Sequence, residues 1–467
     1  MFKVFLLLIY VATILAVIFM ERKNPTEALL WVLIVTCIPY VGLLLYLIFG
    51  STIAIKLTAV VRRQRLQKRI PAAREAPDLL TGQQVSEQDR QVIQFNHTYN
   101  HSPVTCYDDY QLLTSGEAHY RALFQDIKAA KECIYVLFLT IHHDVMGEAL
   151  AKALAEKARE GVRVFVMYDY LANFSTPLRM FQPLMDAGGK VIRIKPYLTH
   201  YRSHRKIVSI DHKIGYIGGM NIGKQYANLA AKKNPWRDTQ VRLTGTCVST
   251  LDGYFLADLL CSVQNRDWED MVQYMESIRL PEQRKTTNIC QFVVGGVDTD
   301  KEAVKMNYLS MIRSARQSIL IQSPYFIPDD SVMDALKTAA AAGVKIVLMI
   351  PGIKASFFLD PVTTYYAGQI MEYGATVYKY HGYIHAKTMT IDDELCCIGS
   401  VNMDIRSLMV DDEICGIFYT NDLVQEYIRI FQEDIRHCDR YSYDQFLQRG
   451  RKERLIEGIF LPFAPLM

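Results

Sequence analysis

The sequence predicts an α/β protein made of two tandem half-domains of one design. They are related by a pseudo-twofold axis, share one active site, and follow an N-terminal pair of membrane-spanning helices. Three observations carry that expectation. A residue signature of fixed spacing occurs twice, the order of strand and helix patterns around it also occurs twice, and two uncharged apolar stretches lie near the start of the chain.

The signature is His204-Arg205-Lys206, then Asp211, then Gly218-Gly219-Met220-Asn221. It returns as His385-Ala386-Lys387, then Asp392, then Gly399-Ser400-Val401-Asn402. Both copies read H-x-K, four residues, D, six residues, G-[GS]-x-N, at a shift of 181 from His204 to His385. A lone H-x-K is weak, because basic proteins contain it by chance. Either histidine alone reads most simply as a hydrogen-bonded core residue. Two copies with every internal spacing equal argue instead for a duplicated unit carrying half a site each.

The surroundings repeat as well. In the first half, helical periodicity covers 117–131, 146–160 and 177–187, with Ser115 placed to cap the first. Strand patterns cover 133–140, 162–168 and 191–194. In the second half, helices are expected at 301–316, 331–342 and 363–373, and strands at 318–322, 344–350 and 376–380. Gly161 and Gly343 end corresponding helices. Strands alternating with helices imply buried sheets flanked by helices. The expected division is 1–50 for the membrane helices, 51–105 for a basic juxtamembrane segment and connector, 106–285 for the first half-domain and 286–467 for the second. The signatures fall at about 199–225 and 380–407.

The apolar stretches are 4–20 and 28–49, joined by a short polar turn. A bilayer core of about 30 Å needs about 20 residues of helix, so a spanning hairpin is expected. Pro39 and Gly42 are tolerable in a membrane helix. A cleaved leader is disfavoured, since no A-x-A-like site precedes Glu21. Lys56, Arg62, Arg63, Arg65, Lys68 and Arg69 follow the second stretch. Positive charge there places both the N-terminus and everything after residue 50 in the cytoplasm, and also attracts anionic lipid. Net charge over the 467 residues is only +3, and the ten cysteines include no CxxC pair. Reduced thiols in a cytosolic compartment fit that pattern.

The chemistry follows from residue types. His and Lys two apart, ahead of an apolar alternation, project to one face of a strand. Two such faces together offer two imidazoles, two ammonium groups and two amides around one pocket. That set suits a phosphate ester: lysines neutralise charge, one imidazole attacks phosphorus, and the other moves protons. No metal or cofactor is required. His200 and His381 precede the signature histidines by four, a zinc-like spacing on a helix, but these segments read as the start of strands. His142 and His143, beside Asp144, are either pocket-rim residues or plain loop residues. Nucleic acid is not expected as a partner, because basic residues gather at the membrane edge and not in an aromatic-interleaved patch.

The paired signature resembles that of the phospholipase D superfamily. Asn24-Pro25, Ile38-Pro39-Tyr40-Val41-Gly42, Ser323-Pro324-Tyr325-Phe326-Ile327-Pro328-Asp329, Asn402-Met403-Asp404-Ile405-Arg406-Ser407 and Ala464-Pro465-Leu466-Met467 resemble segments of bacterial cardiolipin synthases. The resemblance implies phosphatidyl transfer between two phosphatidylglycerol molecules, giving cardiolipin and glycerol through a phosphohistidine. It implies His204 as nucleophile and His385 as general acid, then base. Lys206, Lys387, Asn221 and Asn402, with Gly219 and Ser400, would hold phosphate. Asp211 and Asp392 complete the signature set in a supporting role. Asp238 and Glu413 could orient the histidines, since an acid partner holds an imidazole in one tautomer. It implies phospholipid partners and a multi-pass protein of the bacterial inner membrane with its catalytic part facing the cytoplasm. Alternatives are a tethered phosphodiesterase using water, or transfer to another alcohol. The sequence departs from the family pattern at Gly219, where many members have Ser, at Asp411-Asp412 before Glu413, and at the final Met467.

Overall fold

A computed structural model describes mainly residues 25–46, 85–195, 202–229, 235–262, 288–296, 302–419 and 422–467, with a few positions between 10 and 18 and residue 299. The basic run 56–69, His200 and much of the first apolar stretch lie outside the described residues.

Each half is built on one mixed sheet. In the first, Cys133–Phe138 is central, with Arg163–Asp169 parallel on one side and Ile207–Ile210 antiparallel on the other. Lys190–Ile194 closes one edge; Ile214–Gly218, Gln240–Thr244 and Asp109–Leu113 extend the other, giving seven strands. The second half repeats the plan around Ser318–Gln322, with Lys345–Pro351 parallel and Thr388–Ile391 antiparallel beside it. Among the described residues its sheet has nine strands.

The continuous apolar runs exist because both faces of these strands are covered. In Cys133–Phe138, Ile134, Val136 and Phe138 pack under the outer helices Gly116–Ala129 and Val145–Arg159. Cys133, Tyr135 and Leu137 face the other way, into a core that also holds Phe292, Met349, Ile398 and Phe418 of the second half. The helices Cys247–Ser262 and Asp422–Ile435 contribute to the same central core. The two halves are therefore packed face to face through a shared apolar layer. The helix Glu87–Asn100, which precedes the first sheet in sequence, packs on the second half: Val92 and Ile93 join Ile289, Val304 and Tyr308.

Local signals explain the element boundaries. The Ser115 hydroxyl accepts the Ala118 N–H at 3.2 Å, a helix cap. Gly161 and Gly343 sit at φ +91° and +94°, where a side chain would be strained. The expected helix 177–187 is instead a 3-10 turn, Leu178–Phe181, followed by a short helix, Gln182–Asp186. Pro183 is the reason: it lacks an N–H, so the turn Leu178–Phe181 cannot be continued by a helical bond from residue 183. At the N-terminus, helices Pro25–Cys37 and Pro39–Leu45 meet at Ile38. Among the described residues no helix is long and apolar enough to cross a membrane.

Candidate active site

Each signature histidine is held by the half it does not belong to. The His204 N–H donates to the Asp412 carbonyl at 2.8 Å, and the His385 N–H donates to the Arg237 carbonyl at 2.6 Å. Around the second contact, Tyr383–Ile384 pairs in parallel with Trp236–Arg237; around the first, Ser203 bridges Asp412. These short cross-strands fix the two histidines relative to each other.

The side chains repeat the exchange. Nδ1 of His204 is 2.7 Å from Oε1 of Glu413, and Nδ1 of His385 is 2.6 Å from Oδ2 of Asp238. Both carboxyls are fully buried. They are equivalent positions: Gly218 pairs with Gln240 and Gly399 with Cys415, and each acid lies two residues before that partner. With Nδ1 engaged, each imidazole keeps Nε2 for a substrate.

The lysines are buried beside them. Lys206 Nζ donates to its own His204 carbonyl at 2.6 Å, and Lys387 Nζ to the His385 carbonyl at 2.5 Å. Burial lowers Lys206 to about 8 and Lys387 to about 7, against the pull of Glu413 and Asp238. Burial and both lysines hold His204 well below its usual range, and His385 falls to about 3. The acids differ. Burial raises Glu413 to about 8, whereas His385 and Lys387 overcome burial and hold Asp238 below the usual carboxylate range. The centre thus brings together two buried amines and two imidazoles disfavoured from protonation, beside one ionised acid.

Comparison with known proteins identifies the family. The family described as cardiolipin synthase, PLD-like domain, matches residues 123–234 and 308–435. A phospholipase D-nuclease N-terminal family matches residues 8–51. The chain is 33% identical to the major cardiolipin synthase ClsA of Bacillus subtilis, over 97% of this chain and 96% of that one. It is 30% identical to a cardiolipin synthase of Listeria monocytogenes, over 99% and 98%. This chain belongs to the cardiolipin synthase family. A crystal structure of phosphatidylserine synthase from Haemophilus influenzae shares the fold, with TM-score 0.63 and 14% identity over 80% of this chain and 98% of that one.

The residues beside the histidine–acid pairs differ between the two halves. A Cβ on Gly219 would lie 2.2 Å from Oδ1 of Asp238, so any side chain there requires the Asp238 carboxylate to shift. In the second half Ser400 fits, and its hydroxyl donates to Glu413 and accepts the Ile414 N–H. The Ser400 hydroxyl is therefore directed at Glu413. Asp411 accepts the Arg202 N–H and pairs with Arg406 at 2.8 Å, and the Asp412 carbonyl holds His204.

The two asparagines are not alike. Asn221 accepts the Thr140 N–H and donates to the Tyr226 hydroxyl, both at 3.2 Å. Asn402 is buried, and its side-chain oxygen has no partner among the described residues. Asp211 and Asp392 stand at the far end of their strands from the histidines. Asp211 accepts the N–H groups of Lys131, Glu132 and Cys133; Asp392 accepts those of Arg316, Gln317 and Ser318.

Sequence reasoning missed an aromatic wall around His385. Trp236 lies 5.0 Å from its ring, Tyr226 and Tyr383 6.0 Å, and the Tyr383 hydroxyl donates to that of Tyr325 at 3.0 Å. It also missed two buried arginines: Arg205 on Asp258 at 2.6 Å and Arg237 on Asp434 at 2.7 Å. Their adjacency to His204 and Asp238 was the available signal. His142 bonds Gln225 at 2.6 Å and stacks near Tyr226, while His143 pairs with Glu148 at the surface. His381 is exposed and pairs with Asp439. A cavity of about 610 Å³ lies in the second half, lined by Pro324, Lys354, Phe357, Lys379 and Arg449 among others, and by none of the signature residues.

Proposed function

We propose that the chain is a cardiolipin synthase working by double displacement at a histidine, within a membrane. The observation that carries this reading is the crossed pairing of His204 with Glu413 and His385 with Asp238, with Lys206 and Lys387 between them.

In the first step His204 Nε2 attacks the phosphorus of one phosphatidylglycerol. The P–O bond to the head-group glycerol breaks, and His385 gives its proton to the departing oxygen, releasing glycerol. In the second step a hydroxyl of another phosphatidylglycerol loses its proton to His385 and attacks the phosphohistidine. The P–N bond breaks and cardiolipin leaves. Burial keeps His385 neutral in the empty site; an incoming phosphodiester brings the negative charge that favours its protonated form. Proton transfer of this kind is worth about 10²–10⁴-fold. Lys206, Lys387 and the amide of Asn402 neutralise and orient the phosphate. Glu413, Asp238 and Ser400 act through the histidines as positioning residues. Asp211 and Asp392 hold the loops ahead of the central strands.

The apolar stretches 4–20 and 28–49 form the anchoring hairpin, a reading supported by the family match at 8–51, with the catalytic part on the cytoplasmic side. The test is a product assay on the full-length chain in detergent with phosphatidylglycerol. Cardiolipin and glycerol in equal amounts are expected; phosphatidic acid alone would replace transfer with hydrolysis.

A further inference from the structure

Exposed apolar side chains are normal when scattered, and informative when they gather. Here they gather. Leu171 and Phe174 follow the strand Arg163–Asp169 and are 45% and 84% exposed. Phe357 and Phe358 follow the equivalent strand, Lys345–Pro351, and are 67% and 56% exposed. Both strands run antiparallel to the signature strands, through Cys133–Phe138 and Ser318–Gln322. The ends they reach are therefore the ends at which His204 and His385 stand. The same edge of the molecule carries exposed apolar residues at the same place in each repeat.

The C-terminal helix Arg451–Phe460 enlarges this edge. Phe460 packs edge-to-face with Phe357 at 5.5 Å and with Phe358 at 5.0 Å. Leu455 and Ile459, one turn apart on its outer face, are 65% and 52% exposed. Arg451, Lys452 and Arg454 are exposed on the turn before them, Lys354 precedes Phe357, and Lys224 and Arg179 are exposed in the first half. Among the acids nearby, Glu453 accepts the Gly450 N–H, Asp360 accepts the Ala355 and Ser356 N–H groups and Glu148 pairs with His143, so basic residues outnumber acids along this margin. An apolar face with a basic margin matches a bilayer interface carrying anionic headgroups.

We infer that the histidine end of both half-domains is a membrane-docking face, with Phe174, Phe357, Phe358, Leu455 and Ile459 seated in the interface of an anionic bilayer. The inference rests on the reading that the substrate is a bilayer lipid. Docking presents the shared centre directly to phosphate groups, so a lipid need not leave the membrane to be cleaved.

The test uses the full-length chain in phosphatidylcholine bilayers with brominated acyl chains, with and without phosphatidylglycerol. Phe174→Trp, Phe357→Trp and Tyr373→Trp are compared, each corrected for the three native tryptophans. Tyr373 is exposed just past the helix Leu359–Met371, at the opposite edge of the sheet. Quenching at 174 and 357 is expected to exceed that at 373 at least about twofold, and to strengthen with the anionic lipid. Equal quenching at all three positions would overturn the docking face and leave the patch to a protein partner. Stronger quenching at 174 and 357 that ignores the anionic lipid would overturn the charge complementarity. Cardiolipin is assayed on the same samples. Product without selective quenching defeats docking alone, and selective quenching without product defeats the synthase reading while docking stands.

Discussion

Glu413 of the second half lies 2.7 Å from Nδ1 of His204 in the first, and Asp238 of the first half lies 2.6 Å from Nδ1 of His385 in the second. Neither half-domain contains a complete histidine–acid pair. Glu413→Gln and Asp238→Asn keep shape and replace each carboxyl group with an amide, so the imidazole loses the partner that fixes its tautomer. Activity is expected to fall about 10²–10⁴-fold in kcat, as for acids that orient a histidine elsewhere. KM for phosphatidylglycerol should change little, because neither acid touches the phosphate. A matched rise in KM would mean that the carboxylates serve binding instead.

This exchange was only partly legible in the sequence. Asp238 follows Asn221 by 17 residues and Glu413 follows Asn402 by 11, so no common spacing marks them as equivalent. Loops of different length intervene, and strand register restores the match. The repeated strand and helix order, by contrast, was readable because both faces of each central strand are covered and the sequence stays apolar throughout. Asp211 and Asp392 are as regular in spacing as the histidines, yet their positive φ and their three backbone N–H contacts arise only once the chain has folded.

Gly219 is sensitive to a small change because it lies against Asp238. Serine there must displace the Asp238 carboxylate, which a Cβ would approach to 2.2 Å. Gly219→Ser should therefore reproduce the activity loss of Asp238→Asn. The double variant Gly219→Ser/Asp238→Asn should lose little beyond either single change, since both act on the same histidine. Additive losses would show that Gly219 contributes by another route. In the second half Ser400→Gly should cost far less, removing one hydroxyl donor from Glu413.

Asp211→Asn and Asp392→Asn should change stability more than chemistry. Asparagine tolerates the left-handed backbone at φ +54° and +52°, so the turn survives while three charge-assisted acceptor contacts weaken. A loss of about 1–3 kcal/mol per site is expected, measured as a lower denaturation midpoint in detergent. Activity per folded molecule should stay within a few-fold of wild type. A collapse of kcat with unchanged stability would place these acids in the reaction.

Lys387 sets stability against function. Burial depresses its ammonium to about 7 from an ordinary value of 10.5. In the empty site, folding below pH 7 must hold a charge that the interior disfavours, and that cost shrinks as pH rises toward 10.5. Lys387→Met removes the charge and keeps most of the volume. The substrate-free variant should melt higher than wild type at pH 6, with the difference fading by pH 10. Its transferase activity should be abolished, because a phosphate then meets one cation in place of two. In the mechanism we propose the protonated lysine holds phosphate, so affinity for phosphatidylglycerol should decline as pH rises past 7 to 8, the range in which Lys387 and Lys206 lose their protons. A flat affinity between pH 6 and 9 would show that the lysine protons do not hold the phosphate, and a lower melting point for Lys387→Met at pH 6 would show that the charged lysine stabilises the empty site.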